Sequence, residues 1–154
     1  MNKGSKLLAG GLVFCICLMV VGIYFGRRAK TMSAIRTALL ADIALNKEIF
    51  GGRSTADCDA KTIHAYAQGL REIDMSDCPR DFQLAYLDHL HAWESLARTR
   101  GSVDLVGFVI KSLVTKSLPN IPDEQPIHDE IARTWDEVER IALSYGVRMP
   151  ENSG

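Results

Sequence analysis

The sequence has no surplus of basic charge: 18 Lys and Arg stand against 19 Asp and Glu in 154 residues, a formal net charge of −1. That balance excludes a nucleic-acid partner for the chain as a whole, because phosphate binding needs a concentrated basic surface. Nucleotide loops are missing too, since neither G-x-x-x-x-G-K-[ST] nor G-x-G-x-x-G occurs. The metal-gripping spacings H-x-x-x-H, H-E-x-x-H and E-x-x-H are absent, as is the C-x-x-C-H of covalent haem. Gly52-Arg53-Ser54-Thr55-Ala56 mimics the start of a nucleophile elbow but ends in Ala and follows a helical pattern, not a strand. The carboxylate pairs Asp129/Glu130 and Asp136/Glu137 are sequence neighbours on a solvated helix and do not converge as an acid and a base would. No catalytic residue, metal site or cofactor is therefore expected. What is present is 47% apolar, too much for a disordered or fibrous chain. The length admits one membrane element and one domain of roughly 100–130 residues.

The longest apolar run is Leu7 to Phe25, nineteen residues without charge, Pro, Asn or Gln. At about 1.5 Å per residue it spans nearly 30 Å, the hydrocarbon thickness of a bilayer. Lys3 and Lys6 flank one end and Arg27, Arg28 and Lys30 the other, with Tyr24 near the boundary. No small-x-small cleavage site follows the run, and Phe14 and Ile16 precede Cys15 and Cys17 where lipid attachment wants a small residue. The sequence thus predicts an uncleaved single-pass signal-anchor over residues 7–26 after a short tail, 1–6, with the lipid bilayer as partner. Positive-inside counting leans toward a cytoplasmic carboxyl domain. The habit of short amino-terminal tails to stay inside points to export, and the extracytoplasmic placement is the one adopted.

Beyond residue 26, 16 basic residues face all 19 acids once Lys3 and Lys6 are set apart. That is a mildly acidic surface. Met32, Ile35, Leu39, Ile43 and Phe50 recur at helical intervals, so residues 27–57 read as a membrane-proximal helix and a loop, broken at Gly51-Gly52. A helix over about 60–74 carries Ile63, Ala67, Leu70 and Ile73 on one side. Another runs from Pro79 to about Arg98, with Phe82, Tyr86, His89, Leu90, Trp93 and Leu96 on one face, and Gly101-Ser102 closes it. Residues 103–118 are rich in Val and Ile, but no other segment offers a strand partner, so a further helix is predicted. After the Pro-rich connection 119–126, a last helix reaches Tyr145, with Gly146 as its cap and 147–154 as a flexible tail. The predicted fold is all-α: a transmembrane helix, then a small antiparallel helical bundle over 58–146.

Four residues stand out as site candidates. His89 lies inside the aromatic face with Tyr86 and Trp93, where an imidazole must find a hydrogen-bond partner or lose its charge. Read functionally it is a ligand-touching group; read structurally it is a core histidine bonded to a backbone carbonyl or a side chain, which is the commoner case. Cys78 sits at a helix start and is a reactive-thiol candidate, although Asp77 and Asp81 oppose a thiolate there. A helix between Cys58 and Cys78 would hold them some 20 Å apart, beyond the disulfide reach of ~6 Å. The function expected is a membrane-anchored binding or assembly module, engaging a protein partner or a second copy. The alternative is a haem-, metal- or small-ligand-binding bundle built on His89 and its aromatic neighbours.

Overall fold

The computed structural model describes the backbone of residues 3–113 and 124–149, and the side chains of residues 22–102 and 124–149. Four α-helices occur among the described residues, and no strand: α1 (Lys3–Phe50), α2 (Ala60–Glu72), α3 (Arg80–Leu113) and α4 (Gln125–Ser144). A 3-10 turn at Thr55–Asp57 joins the first two.

Local chemistry sets the ends. Gly51 and Gly52 take φ of 57° and 82°, the left-handed region open to glycine, and so stop α1. Asp59 caps α2 by accepting from the Thr62 N–H at 2.8 Å. Pro79 precedes the first residue of α3, and its carbonyl accepts from the Gln83 N–H at 3.0 Å. At the end of α4 the N–H of Gly146 (φ 82°) reaches the Leu143 carbonyl and that of Val147 reaches Ala142, the paired bonds of a Schellman motif. That motif turns Val147 back into the core. Residues 147–149 thus do not belong to the tail expected from residue 147, since Val147 is buried and Met149 packs against the core; the rest of that segment lies outside the described residues.

Cross-helix contacts fix the topology. Lys30 of α1 meets Asp77, just beyond the end of α2, and Asp42 of α1 meets Tyr66 of α2, so these two helices run antiparallel. Arg71 pairs with Glu94 and the Cys58 carbonyl with Arg100, which sets α2 against α3. Tyr145 bonds Asp81 and Thr134 faces His89, which sets α3 against α4. Asp42 bonds Tyr86 and Phe50 stacks on Trp93, so α1 and α3 run the same way. The result is an up-down-up-down four-helix bundle.

Two further boundaries differ from the sequence reading. First, the bundle does not begin at residue 58: Ile35, Ala38, Leu39 and Phe50 of α1 are buried in the common core. The stripe foreseen on residues 32–50 needed cover, and α2, α3 and α4 supply it. Second, Gly101-Ser102 does not close a helix, because α3 continues through it to Leu113. Gly101 has no positive φ, and the Ser102 hydroxyl donates to the Thr99 carbonyl at 2.7 Å, a bond compatible with helix. The expected continuation over 114–118 and most of the Pro-rich connection lie outside the described residues.

That continuity can be tested. A Cβ on Gly101 would meet nothing within 4 Å. Gly101→Ala is expected to raise stability by about 0.5–1 kcal/mol, the helix-interior difference between the two residues. Urea unfolding reads the change; a loss of stability would mean a break in the helix at this point.

Among the described residues no helix is long and apolar enough to cross a membrane. Most of the predicted span, through residue 21, lies outside the described side chains. Its last residues are described: Ile23, Tyr24 and Phe25 are 60%, 63% and 64% exposed on α1, with no helix of the bundle over them.

Candidate functional site

Three polar side chains are buried among the described residues, Asp42, His89 and Thr134, and all three gather along one seam of the bundle. A cleft of ≈ 630 Å³ opens there between α1 and α4. Asp42 and Asn46 line it from α1, Trp135 and Glu139 from α4, and Tyr66 and Trp93 from behind.

Asp42 is 2% exposed, and its two oxygens take separate donors. The Tyr66 hydroxyl donates to Oδ1 at 2.5 Å and the Tyr86 hydroxyl to Oδ2 at 3.0 Å. Burial pushes the carboxyl pKa up, and the two phenols oppose that shift by solvating the ionised form. Both phenols are held well above their ordinary range, by burial first and then by the negative charge of Asp42. No ion-pair partner faces Asp42 among the described residues.

A second chain of bonds runs beside the first. Trp93 Nε1 donates to His89 Nε2 at 3.0 Å, and His89 Nδ1 lies 3.0 Å from Thr134 Oγ1. Because the indole can only donate, Nε2 must accept, which leaves the proton on Nδ1 pointing at Thr134. The Thr134 hydroxyl passes its own proton to the Glu130 and Ile131 carbonyls, at 2.9 and 3.0 Å. The imidazole is thus neutral and fully satisfied. Burial lowers its pKa from 6.5 to about 4, against a smaller opposing effect from the Ile131 backbone.

A sign follows for stability. The unfolded histidine takes up its proton near pH 6.5, whereas the folded one resists until about 4. The unfolded state therefore binds more protons between those values, and stability falls as the pH drops through that window. The expected loss is on the order of 3 kcal/mol by the linkage relation. Asp42 works the other way, because its raised pKa favours the folded state in acid and offsets part of the fall. Urea unfolding at several pH values would show the descent in the wild type and a shallower one in His89→Gln. Parallel slopes in the two proteins would count against this assignment.

Aromatic rings wall the space. Phe50 and Tyr66 have centroids 4.8 Å apart, and Tyr66 meets Trp93 edge-on at 4.7 Å. Trp135 lies 5.1 Å from the His89 ring, and its Nε1 donates to Glu139 Oε1 at 3.1 Å. The lining carries two carboxyl groups, Asp42 and Glu139, and two histidines, His89 and His128, the second 3.6 Å from the Glu124 carboxylate; it contains no Lys or Arg.

The predicted site residues are thus divided. His89 and Trp93 reach the cleft, as a bonded pair one helical turn apart. Tyr86 does not line it and acts from beneath through Asp42. Cys78 lies far away, buried where α2 turns into α3, with its pKa raised by burial and by Asp74 and Asp77. A raised pKa opposes the thiolate that a reactive cysteine needs. Cys58 and Cys78 are both free and buried. No group of three or more His, Cys, Asp or Glu placed to hold a metal occurs among the described residues.

Asp42, Tyr66, Thr134 and Trp135 escaped the sequence reading as site residues. The available signal was one acid between Leu39 and Ile43, inside a stripe that is otherwise apolar. No protein-family model, curated protein or solved structure matches this chain.

Proposed function

We propose that the chain is a membrane-tethered helical module whose α1–α4 cleft binds a small molecule. The observation that carries this reading is a ≈ 630 Å³ cleft with a buried carboxylate in its wall and aromatic rings around it. Ligand sites are typically concave spaces of about 300–1,000 Å³, mostly apolar, with a few convergent polar groups. Here those groups are fixed before any ligand arrives: Asp42 by two phenols, and His89 by Trp93 and Thr134. His89 enters as a hydrogen-bonding element of the wall. Haem or metal ligation by it would first have to break a bond to one ring nitrogen, so a small organic ligand is the better fit.

The tether rests on the apolar segment 7–25 and its flanking cations, together with the exposed Ile23, Tyr24 and Phe25.

The chain has two tryptophans, and both line the cleft, so intrinsic fluorescence reports on this site alone. The full chain in detergent is titrated with a panel of amines, alcohols, sugars and carboxylic acids of metabolite size. The expected result is a saturable change in tryptophan emission with at least one class, accompanied by a rise in Tm. Silence across the panel overturns the binding reading. Alkaline carbonate washing of membranes tests the tether separately: retention in the pellet supports it, and release into the supernatant refutes it.

A further inference from the structure

Resting on that reading, the geometry points to an organic ammonium ion as the ligand of the α1–α4 cleft. Charge decides the class. The acidic groups of the lining are Asp42, whose two oxygens both accept from phenols, and Glu139; no Lys or Arg balances them, and both histidines are engaged, His89 by Trp93 and Thr134 and His128 by the Glu124 carboxylate at 3.6 Å. An anionic ligand would enter beside two carboxyl groups and find no Lys or Arg, only His128, which already faces Glu124. A wholly apolar ligand would offer no donor to the acceptor capacity left on the two Asp42 oxygens. A cation meets neither obstacle.

The fine geometry agrees. Each Asp42 oxygen accepts one phenolic proton, and a carboxylate oxygen has capacity for a further donor. The phenols thus hold the carboxylate in place without exhausting it. The side chains of Tyr66, Trp93 and Trp135 line the same space, and an aromatic ring attracts a positive charge brought to its face. At the α4 side Glu139 is bonded through Oε1 to Trp135, which fixes a second carboxylate within the lining. Two carboxylates among aromatic rings suit a compact ammonium head, quaternary or primary. A bare metal ion is a poor match, because ring faces replace the oxygen ligands it requires.

The test sets a cation against its neutral twin. Choline and 3,3-dimethyl-1-butanol share a shape and differ in charge; putrescine and 1,4-butanediol do the same for a primary ammonium. Tryptophan emission of the full chain in detergent is followed through each titration. The expected result is saturable binding of choline or putrescine, at least about tenfold tighter than the matching alcohol. Asp42→Asn should then weaken the cation about tenfold or more and leave the alcohol unchanged. Should Asp42→Asn fail to fold, Glu139→Gln keeps the charge test open, with an expected weakening of about threefold. Equal affinity for cation and alcohol overturns the ammonium assignment while the binding reading stands. Binding confined to carboxylic acids or sugars has the same consequence, and no binding by any compound removes both.

Discussion

Trp93→Ala is expected to lower stability by about 4 kcal/mol, the largest loss of any single truncation considered for this bundle. Three separate contributions meet at this side chain. Its ring is buried between Phe50, stacked at 5.8 Å, and Tyr66, edge-on at 4.7 Å, so removing it opens a cavity in the core. Its Nε1 is the donor to His89 Nε2, which alanine would leave unsatisfied in a buried place. It also ties helices α1, α2 and α3 to one another at the back of the cleft. Urea unfolding at pH 7 measures the total. Trp93→Phe separates the terms, since it keeps most of the ring and loses only the donor, for an expected cost of about 1–3 kcal/mol. Near-wild-type stability for Trp93→Ala would show that the wall around the cleft is loosely packed.

Arg100→Ala is expected to cost about 2–4 kcal/mol, although it removes a charged residue outside the main core. The guanidinium is 11% exposed and is used from every side. Nε and Nη2 grip the Glu124 carboxylate at 3.0 and 2.7 Å, while Nη1 donates to the carbonyls of Thr55 and Cys58. One side chain thereby joins the α1–α2 connection, α3 and the start of α4. Truncation would leave the Glu124 carboxylate, whose pKa is depressed chiefly by this arginine, with only His128 at 3.6 Å, and would take a donor from the Thr55 and Cys58 carbonyls. Lysine cannot replace the planar fork, so Arg100→Lys should recover less than half of the loss. Thermal unfolding of the three proteins side by side is the check. Full rescue by lysine would reduce the contact to simple charge attraction.

The sequence revealed those parts of the structure whose signals are local. The α4 stripe of Ile131, Val138 and Ala142 is helical in period and ends at Gly146, so both the helix and its stop could be read directly. His89 and Trp93 are four residues apart on α3, and their hydrogen bond spans one turn, which is why that pair was already in view. Asp42 was hidden for the opposite reason. Its partners lie 24 and 44 residues further along the chain, and a single acid on a helix ordinarily faces water. Thr134 lies 45 residues from His89 and gave no signal for the same reason. The run through Gly101-Ser102 was misread because glycine and serine are equally at home in a turn and, at modest cost, within a helix. The surrounding helix decided that case. The cleft itself joins the first and last helices, the longest loop closure in the domain, and no short window of sequence contains it.

One consequence of the unbroken α1 concerns bearing. The helix that carries Asp42 and Asn46 in the cleft wall is the same one that displays Ile23, Tyr24 and Phe25, with no glycine of positive φ between them. An unbroken helix has a phase as well as a length. Each residue added or removed between Phe25 and Met32 would rotate the bundle by about 100° about the helix and shift it by about 1.5 Å. The compass direction in which the cleft mouth looks is thus encoded by residue count along α1, and whatever grips the far end of that helix also aims the opening.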